Sequence, residues 1–542
     1  MKGNTTRYAA LAALGTLLAG PAFGQAPSTA SVSLTLAEAV QRALEHNPDL
    51  AIVRSETEVE AARVGESRGA YTPLFSTTGG RTRNVTPPAN ALLGDAGVEV
   101  NDWFSSTGVR QRVPWGGGVW SLSWETARTT TNSPISSFDP NLQSGIQAAF
   151  SQPLVKDRPI DASRRQYTVA KRNQQSSELQ FREAVVQTVA AVKQAYWTAK
   201  AANANVTVQQ RSLELAEELA RQNRIRVDAG QIPPLDLVQA EAEVAQRREN
   251  LIQARATAGD AEDRLRRLIM DPADTSFWNV SLDPVDSPPA VMALPDGDAA
   301  VAKAMGERLD LARAANDLEN TKTEIAYLGN QRLPDVRLEA LYRGSGLGGT
   351  QLVRDGGFPG TVTDIRQRSF GAALGQAFTT DYPTWSLGVS VSYPLGRSSE
   401  EAGLARATIE RDQAARRLAS LRLDAAEAIR RAARQVRSSG ERVEAARASA
   451  TLAERRLADE QRRYDVGLST TFLVTLAQRD LLQAQVSLLQ TSLDYQSAAI
   501  NFEALQQAPA PGSSGVVLVR GADIIVQPPP SPRGLFRPGS GQ

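Results

Sequence analysis

The chain is written twice, and this constrains its fold more than any local propensity does. Arg226-Val227-Asp228-Ala229-Gly230 and Arg463-Tyr464-Asp465-Val466-Gly467 share an Arg-x-x-x-Gly spacing and lie 237 positions apart. At the same offset Leu215-Ala216-Glu217 falls on Leu452-Ala453-Glu454, and Ala240 on Ala477. Nearer the start of each half, Val40, Ala43, Asp49, Leu50 and Pro73 fall on Val301, Ala304, Asp310, Leu311 and Pro334, at offset 261. A repeat of this length reads as two copies of one structural unit.

Each Arg-x-x-x-Gly stretch joins two helical segments, because Gly takes a positive φ without strain and so reverses the chain. After Gly467 the smaller or apolar positions run Val474, Ala477, Leu481, Ala484, Leu488, Thr491, Tyr495, Ala498, Phe502, Leu505. Spacing that alternates between three and four is a coiled-coil seam. A second row lies one position round: Leu482, Val486, Leu489, Leu493, Gln496, Ile500. Two adjoining seams need a neighbour on each side, as in a ring of helices. The segment after Gly230 carries its own seam through Ala240, Val244, Arg247, Leu251, Ala254, Ala258, Ala261, Leu265 and Leu268. Before each turn, about Asp161 to Asp228 and Ser398 to Asp465 contain no Pro. Each would span on the order of 100 Å as a continuous helix.

Between the first helices and these long ones the period switches to two. Leu387, Val389, Val391 and Tyr393 alternate with Ser386, Gly388, Ser390 and Ser392. Val336, Leu338, Ala340 and Tyr342 oppose Arg337, Glu339 and Leu341. In the first half, Ile146, Ala148 and Phe150 alternate with Gly145, Gln147, Ala149 and Ser151, and Trp120, Leu122 and Trp124 with Ser121, Ser123 and Glu125. Apolar on one side and small or polar on the other suits strands with lipid outside and water inside, and equally a soluble sandwich. The very long flanking helices and an N-terminal address favour the barrel. Pro73 to Pro153 exceeds Pro334 to Pro394 by twenty residues, which places an added hairpin around Val109 to Trp124 at Gly116-Gly117-Gly118. Gly344 to Gly349 and Gly356 to Gly360 read as flexible loops at strand ends.

The address is Lys2 and Arg7 ahead of the apolar run Ala9 to Leu18, then small residues around 24–26. It reads as a signal peptide, 1–24. No later stretch is apolar for the 18 or so residues a spanning helix needs, whereas a β-barrel remains open to a secreted chain. The expected order is a first repeat at 25–270, a Pro- and Asp-rich linker at 271–297, a second repeat at 298–507 and a disordered Pro/Gly-rich tail at 508–542. A formal net charge of +1 gives no argument for nucleic acid, and the absence of cysteine removes disulfides, thiol nucleophiles and an acylated Cys anchor. The single histidine, His46, precedes Asn47-Pro48 at a helix end, where it can meet the terminal carbonyls. One His without Cys builds no His-based metal or nucleophile site, so no catalytic, cofactor-binding or metal site is expected, and the chain reads as no enzyme.

The sequence resembles the TolC-like outer-membrane efflux protein family. The residues carrying the match are Leu34-Thr35-Leu36-Ala37-Glu38-Ala39-Val40-Gln41-Arg42-Ala43-Leu44, Asn47-Pro48-Asp49-Leu50, both Arg-x-x-x-Gly turns, Asp236-Leu237-Val238-Gln239-Ala240, and the paired strand–Pro–helix halves. The resemblance implies an α+β, mostly α fold: a trimeric α-helical barrel of long coiled-coil helices joined to a transmembrane antiparallel β-barrel. Each protomer would give about four strands, twelve in all, and the added hairpin would enlarge the barrel, cap it or project outside it. It implies a homotrimer in the outer membrane of a Gram-negative bacterium, with its helical part in the periplasm. There a periplasmic adaptor would couple it to an inner-membrane pump or a type I secretion system. The second hypothesis is a periplasmic coiled-coil adaptor or scaffold without a barrel, which predicts one helical hairpin and a compact β module.

Within that frame Arg226 and Arg463 either fix their turns or, with Gly230 and Gly467, form the periplasmic tip that contacts an adaptor. Asp236 is either a first-turn residue favoured by the helix dipole or an aperture residue. Its counterpart is Leu473, so an acidic gate from both repeats is not expected. Arg430, Arg431, Arg434 and Arg437 read as a solvated helix face or a pore lining. Trp103, Trp115, Trp120 and Trp124 read as a membrane-interface girdle or a loop core.

Overall fold

The computed structural model describes residues 31–87, 97–271, 273–274, 278–287, 295–357, 360–379, 381–396 and 398–510. The signal segment 1–24, the tail from 511 and parts of 271–297 lie outside these residues. The elements run β1 (Ser31–Leu34), α1 (Leu36–His46), α2 (Pro48–Gly69), β2 (Leu74–Thr86), β3 (Val98–Arg112), β4 (Val119–Thr131), β5 (Phe138–Pro153), α3 (Ala162–Asp228) and α4 (Pro234–Ile269). The second half follows with β6 (Ser281–Pro284), α5 (Gly297–Glu307), α6 (Leu309–Gln331), β7 (Asp335–Asp355), β8 (Thr361–Arg368), α7 (Phe370–Thr379), β9 (Pro383–Ser392), α8 (Ser399–Asp465) and α9 (Thr471–Leu505). Both α3 and α8 are 67 residues long.

Local chemistry explains the first helices. Thr35 Oγ1 accepts from the Glu38 N–H, and Glu38 Oε2 accepts from the Thr35 N–H, which closes a capping box on α1. His46 ends α1 with Nδ1 3.7 Å from the Asp271 carboxylate. Helix α2 begins on Pro48 with Asn47 Oδ1 accepting from the Leu50 N–H. At the equivalent place in the second half stands Arg308, which caps α6 differently. It is buried, makes two bonds to Asp310 at 2.6 and 2.9 Å, and donates to the Leu505 carbonyl. The repeat therefore conserves the helix start but not the residue that stabilises it.

The chain forms two compact units. The first comprises the described parts of Met1–His46, Ala195–Pro289 and Ala453–Leu489. In it β1 and β6 pair in parallel, so the segment expected as pure linker contains a strand. Tyr196 is fully buried there; its hydroxyl donates to the Leu34 carbonyl and meets Asp286 Oδ2 at 2.8 Å. Burial pushes that phenol up to about 12. The Asp286 carboxyl is held low, first by the Leu36 N–H and then by the Tyr196 hydroxyl.

The second unit comprises the described parts of Asn47–Gln194, Ala290–Leu452 and Gln490–Gln542. It holds a small helical core around Ala300, Ala304, Ile429, Ala432 and Leu505, and one sheet of seven strands. Neighbours run β2-β3-β4-β5-β7, every step antiparallel. On the far edge of β7, β9 pairs Asp335–Gly344 and β8 pairs Gly349–Asp355. Strands β8 and β9 thus form one column interrupted by α7, and the sheet has six columns. The added hairpin is β3–β4, longer than expected, and both strands are fully in the ladder. Its turn is tied down: Gln152 Nε2 donates to the Gly116 carbonyl at 2.7 Å, and Arg112 Nη1 to Ser163 Oγ at 2.7 Å.

Gly344 to Gly349 is not a loop, which corrects the sequence expectation. It is the middle of β7, and Gly344, Gly346, Gly348 and Gly349 are all buried. A Cβ at Gly346 would fall onto the Ala373 carbonyl of α7, and one at Gly348 would lie 2.9 Å from the Ser369 carbonyl. These glycines permit a helix to lie against the strand; they are not there for flexibility. Gly356 and Gly360 do turn the chain, with φ of +73° and +74°.

Candidate functional site

Two regions carry the features that sequence reasoning singled out. The first is the pair of Arg-x-x-x-Gly turns. Gly230 and Gly467 have φ of +69° and +79°. The Gln231 N–H donates to the Arg226 carbonyl and the Gly230 N–H to Val227; likewise Leu468 donates to Arg463 and Gly467 to Tyr464. Both are Schellman closures, in which the residue four before the glycine supplies the carbonyl for the final bond. This is why the motif spaces Arg and Gly by four. The arginine side chains differ. The Arg226 guanidinium lies 4.1 Å from the centre of the Tyr464 ring and reaches the Tyr464 carbonyl, whereas Arg463 is exposed.

Between the turns sits a buried polar cluster that sequence reasoning missed. The Tyr464 hydroxyl donates to Asn223 Oδ1 at 2.5 Å and lies 3.3 Å from Thr471 Oγ1. All three residues are buried, and Tyr464 packs in one cluster with Val474 and Ala477. The available signal was the break in the repeat: Tyr464 stands where the first half has Val227. Further along, the buried Glu243 carboxylate holds Arg247 and, at 2.5 Å, Arg479. Burial alone would raise the Glu243 carboxyl, but the Arg479 hydrogen bonds and both arginine charges outweigh it and hold it below its usual range. Asp236 is half-buried in the first turn of α4, where its carbonyl accepts from Asn223. Around the turns Ile225, Leu235, Val238, Val466, Leu468 and Phe472 are exposed, Leu468 by 79%.

The second region is the sheet. The registers place Phe75, Val109, Trp120, Leu122, Trp124, Ile146, Phe150, Leu338, Tyr342, Trp385, Leu387 and Val389 on one face. On the opposite face lie Ser121, Ser123, Glu125, Gln147, Arg337, Glu339, Arg343, Ser386 and Ser390. There Arg343 pairs with Glu125 at 3.1 Å and Ser390 donates to Glu339. From Val336 to Gly344 the apolar band covers about 25 Å along the strands. Trp103, Trp120 and Trp124 share this face, with Trp103 and Trp124 towards the end far from the long helices, while Trp115 is in the β3–β4 turn at the near end. Among the described residues β2 pairs only with β3, and β9 only with β7. Five antiparallel steps make these two open edges run in opposite directions. No helix among the described residues is long and apolar enough to cross a membrane. Arg430, Arg431, Arg434 and Arg437 are exposed on α8, with Arg430 paired to Asp298 at 2.9 Å.

A two-faced sheet with open edges, continuous with very long paired helices in two repeats, defines a class of membrane-embedded conduit proteins. The chain belongs to the outer membrane efflux protein family, whose family model matches residues 39–269 and 300–506. Its fold is similar to that of the outer-membrane channel OprN, with a TM-score of 0.62 at 18% identity, covering 88% of this chain and 90% of that one. It is also similar to the Campylobacter jejuni outer-membrane channel CmeC, with a TM-score of 0.61 at 17% identity, covering 87% and 85%. For the outer membrane protein VceC from Vibrio cholerae the TM-score is 0.60 at 15% identity, covering 87% and 96%. No curated protein sequence matches the chain.

Proposed function

We propose that this outer-membrane efflux protein works as a homotrimeric, passive exit duct. An inner-membrane efflux pump or type I secretion system would supply the energy through a periplasmic adaptor. The observation that carries the reading is the segregation of apolar and polar residues across β4, β5, β7 and β9 of one sheet. In water such a face would be an aggregation hazard; in lipid it is the outer wall of a barrel whose inner wall is wet. The two open edges, β2 and β9, run in opposite directions, so identical copies can close the ring with every strand antiparallel. Six columns from each of three copies make eighteen strands, more than the twelve expected from four per protomer. An adaptor without a barrel has no use for this sheet.

The turns at Gly230 and Gly467, with Arg226 and Arg463, form the proposed adaptor-contacting tip. The exposed Leu468 and Phe472 offer it apolar anchors. Asp236 is the proposed acidic residue of the aperture. Reconstitution into planar bilayers tests the function. Discrete, long-lived conductance steps from a detergent-extracted, heat-modifiable oligomer support it; a monomer soluble without detergent and silent in bilayers overturns it.

A further inference from the structure

Helix α7 interrupts the column formed by β8 and β9. Among the described residues, the far edge of β7 between Gly344 and Gly349 has no strand partner. The Leu347 N–H is satisfied instead by the Gln376 side-chain oxygen at 3.1 Å, and the Ser345 N–H by the Tyr382 carbonyl. Ser369 caps the helix by accepting from the Ala372 N–H at 3.2 Å. Ala373 and Ala377 are buried against the glycine bed of β7. The helix is therefore keyed into the sheet at a set place.

Gly346 and Gly348 share the parity of Leu338, Ala340 and Tyr342, so α7 lies on the apolar face. It sits just beyond the band, at the end remote from α3 and α8. Its sequence, Phe-Gly-Ala-Ala-Leu-Gly-Gln-Ala-Phe-Thr, carries no charge. Its outward surface presents Phe370, Gly371, Ala372, Gly375 and Phe378, the last 68% exposed. A solvent-facing helix normally shows charged residues on that side. This one continues the lipid-facing surface outward from the wall.

We propose that α7 is a lipid anchor whose outward face inserts among the acyl chains of the outer leaflet and fixes the depth of the barrel. The inference rests on the barrel reading of the sheet. A ten-residue apolar helix lying in the interface contributes through buried apolar area rather than by spanning.

The protein has no cysteine, so single-cysteine probes are clean. Full-length F378C, A372C, L387C and S390C, each labelled with an environment-sensitive fluorophore, would be reconstituted in vesicles containing brominated phospholipid and titrated with aqueous iodide. The proposal expects about a twofold loss of fluorescence in brominated lipid at 378 and 372, as at the band position 387, with iodide reaching only 390. Lipid quenching at 387 with iodide quenching at 378 and 372 would overturn the anchor and leave the barrel intact. Iodide quenching at 387 as well would overturn both.

Discussion

The Arg226 guanidinium rests 4.1 Å from the centre of the Tyr464 ring, so a residue from the first half of the chain is packed on one from the second. The same ring carries its hydroxyl to Asn223. The two turns are therefore held to each other by a side chain that breaks the repeat. Tyr464→Phe keeps the ring and leaves the buried Asn223 oxygen with only the longer bond from the Thr471 hydroxyl at 3.4 Å, which should cost about 0.5–1.5 kcal/mol. Tyr464→Ala also removes the ring and should cost about 3–5 kcal/mol. Hydrogen exchange across 223–235 and 464–474 checks this, with protection falling in that order.

The Glu243 carboxylate gives the same region a pH dependence. Its folded value is depressed, so its stabilisation is complete above the unfolded carboxylate value and disappears as pH falls through the folded one. Exchange in 236–247 should therefore quicken below about pH 4. Glu243→Gln should flatten the pH profile and start from a less protected level, because Arg247 and Arg479 lose a charged partner.

The turn glycines are required for backbone conformation alone. Among the described residues, nothing lies within 4 Å of where a Cβ would stand at Gly230 or Gly467. Alanine at either should cost only the left-handed conformation, about 1–2 kcal/mol. The two costs should add when measured as shifts of the melting transition, since no contact is removed.

The glycine bed under α7 is the opposite case. Gly346→Ala meets the Ala373 carbonyl, so the helix must lift or the strand must shift, at about 1–3 kcal/mol. Gly375→Ala, on the open side of the same helix, should be neutral or stabilising by up to about 1 kcal/mol. The temperature at which the oligomer band converts on gels would separate the two variants.

Much of this architecture is legible in the sequence, because periodicity survives wherever one face is buried. The seam on α9 recurs as the buried Val474, Ala477, Leu481, Tyr495, Ala498 and Leu505, and the two-residue period recurs as the faces of the sheet. What was not legible depends on close approach. Gly344 to Gly349 looks like a loop because glycine signals a turn equally as well as a bed for a packed backbone. Asn223 and Glu243 sit in ordinary polar helix sequence, and only the fold brings Tyr464 and Arg479 to them.

The protein is a duct only if identical copies close the sheet around water. Electron microscopy of the detergent-purified protein, sectioned through the strand layer, tests this directly. It should show three copies contributing six strand columns each to one closed wall of eighteen around an axial hole. A solitary chain with a filled centre, or a strand layer whose β2 and β9 edges remain open, would contradict it.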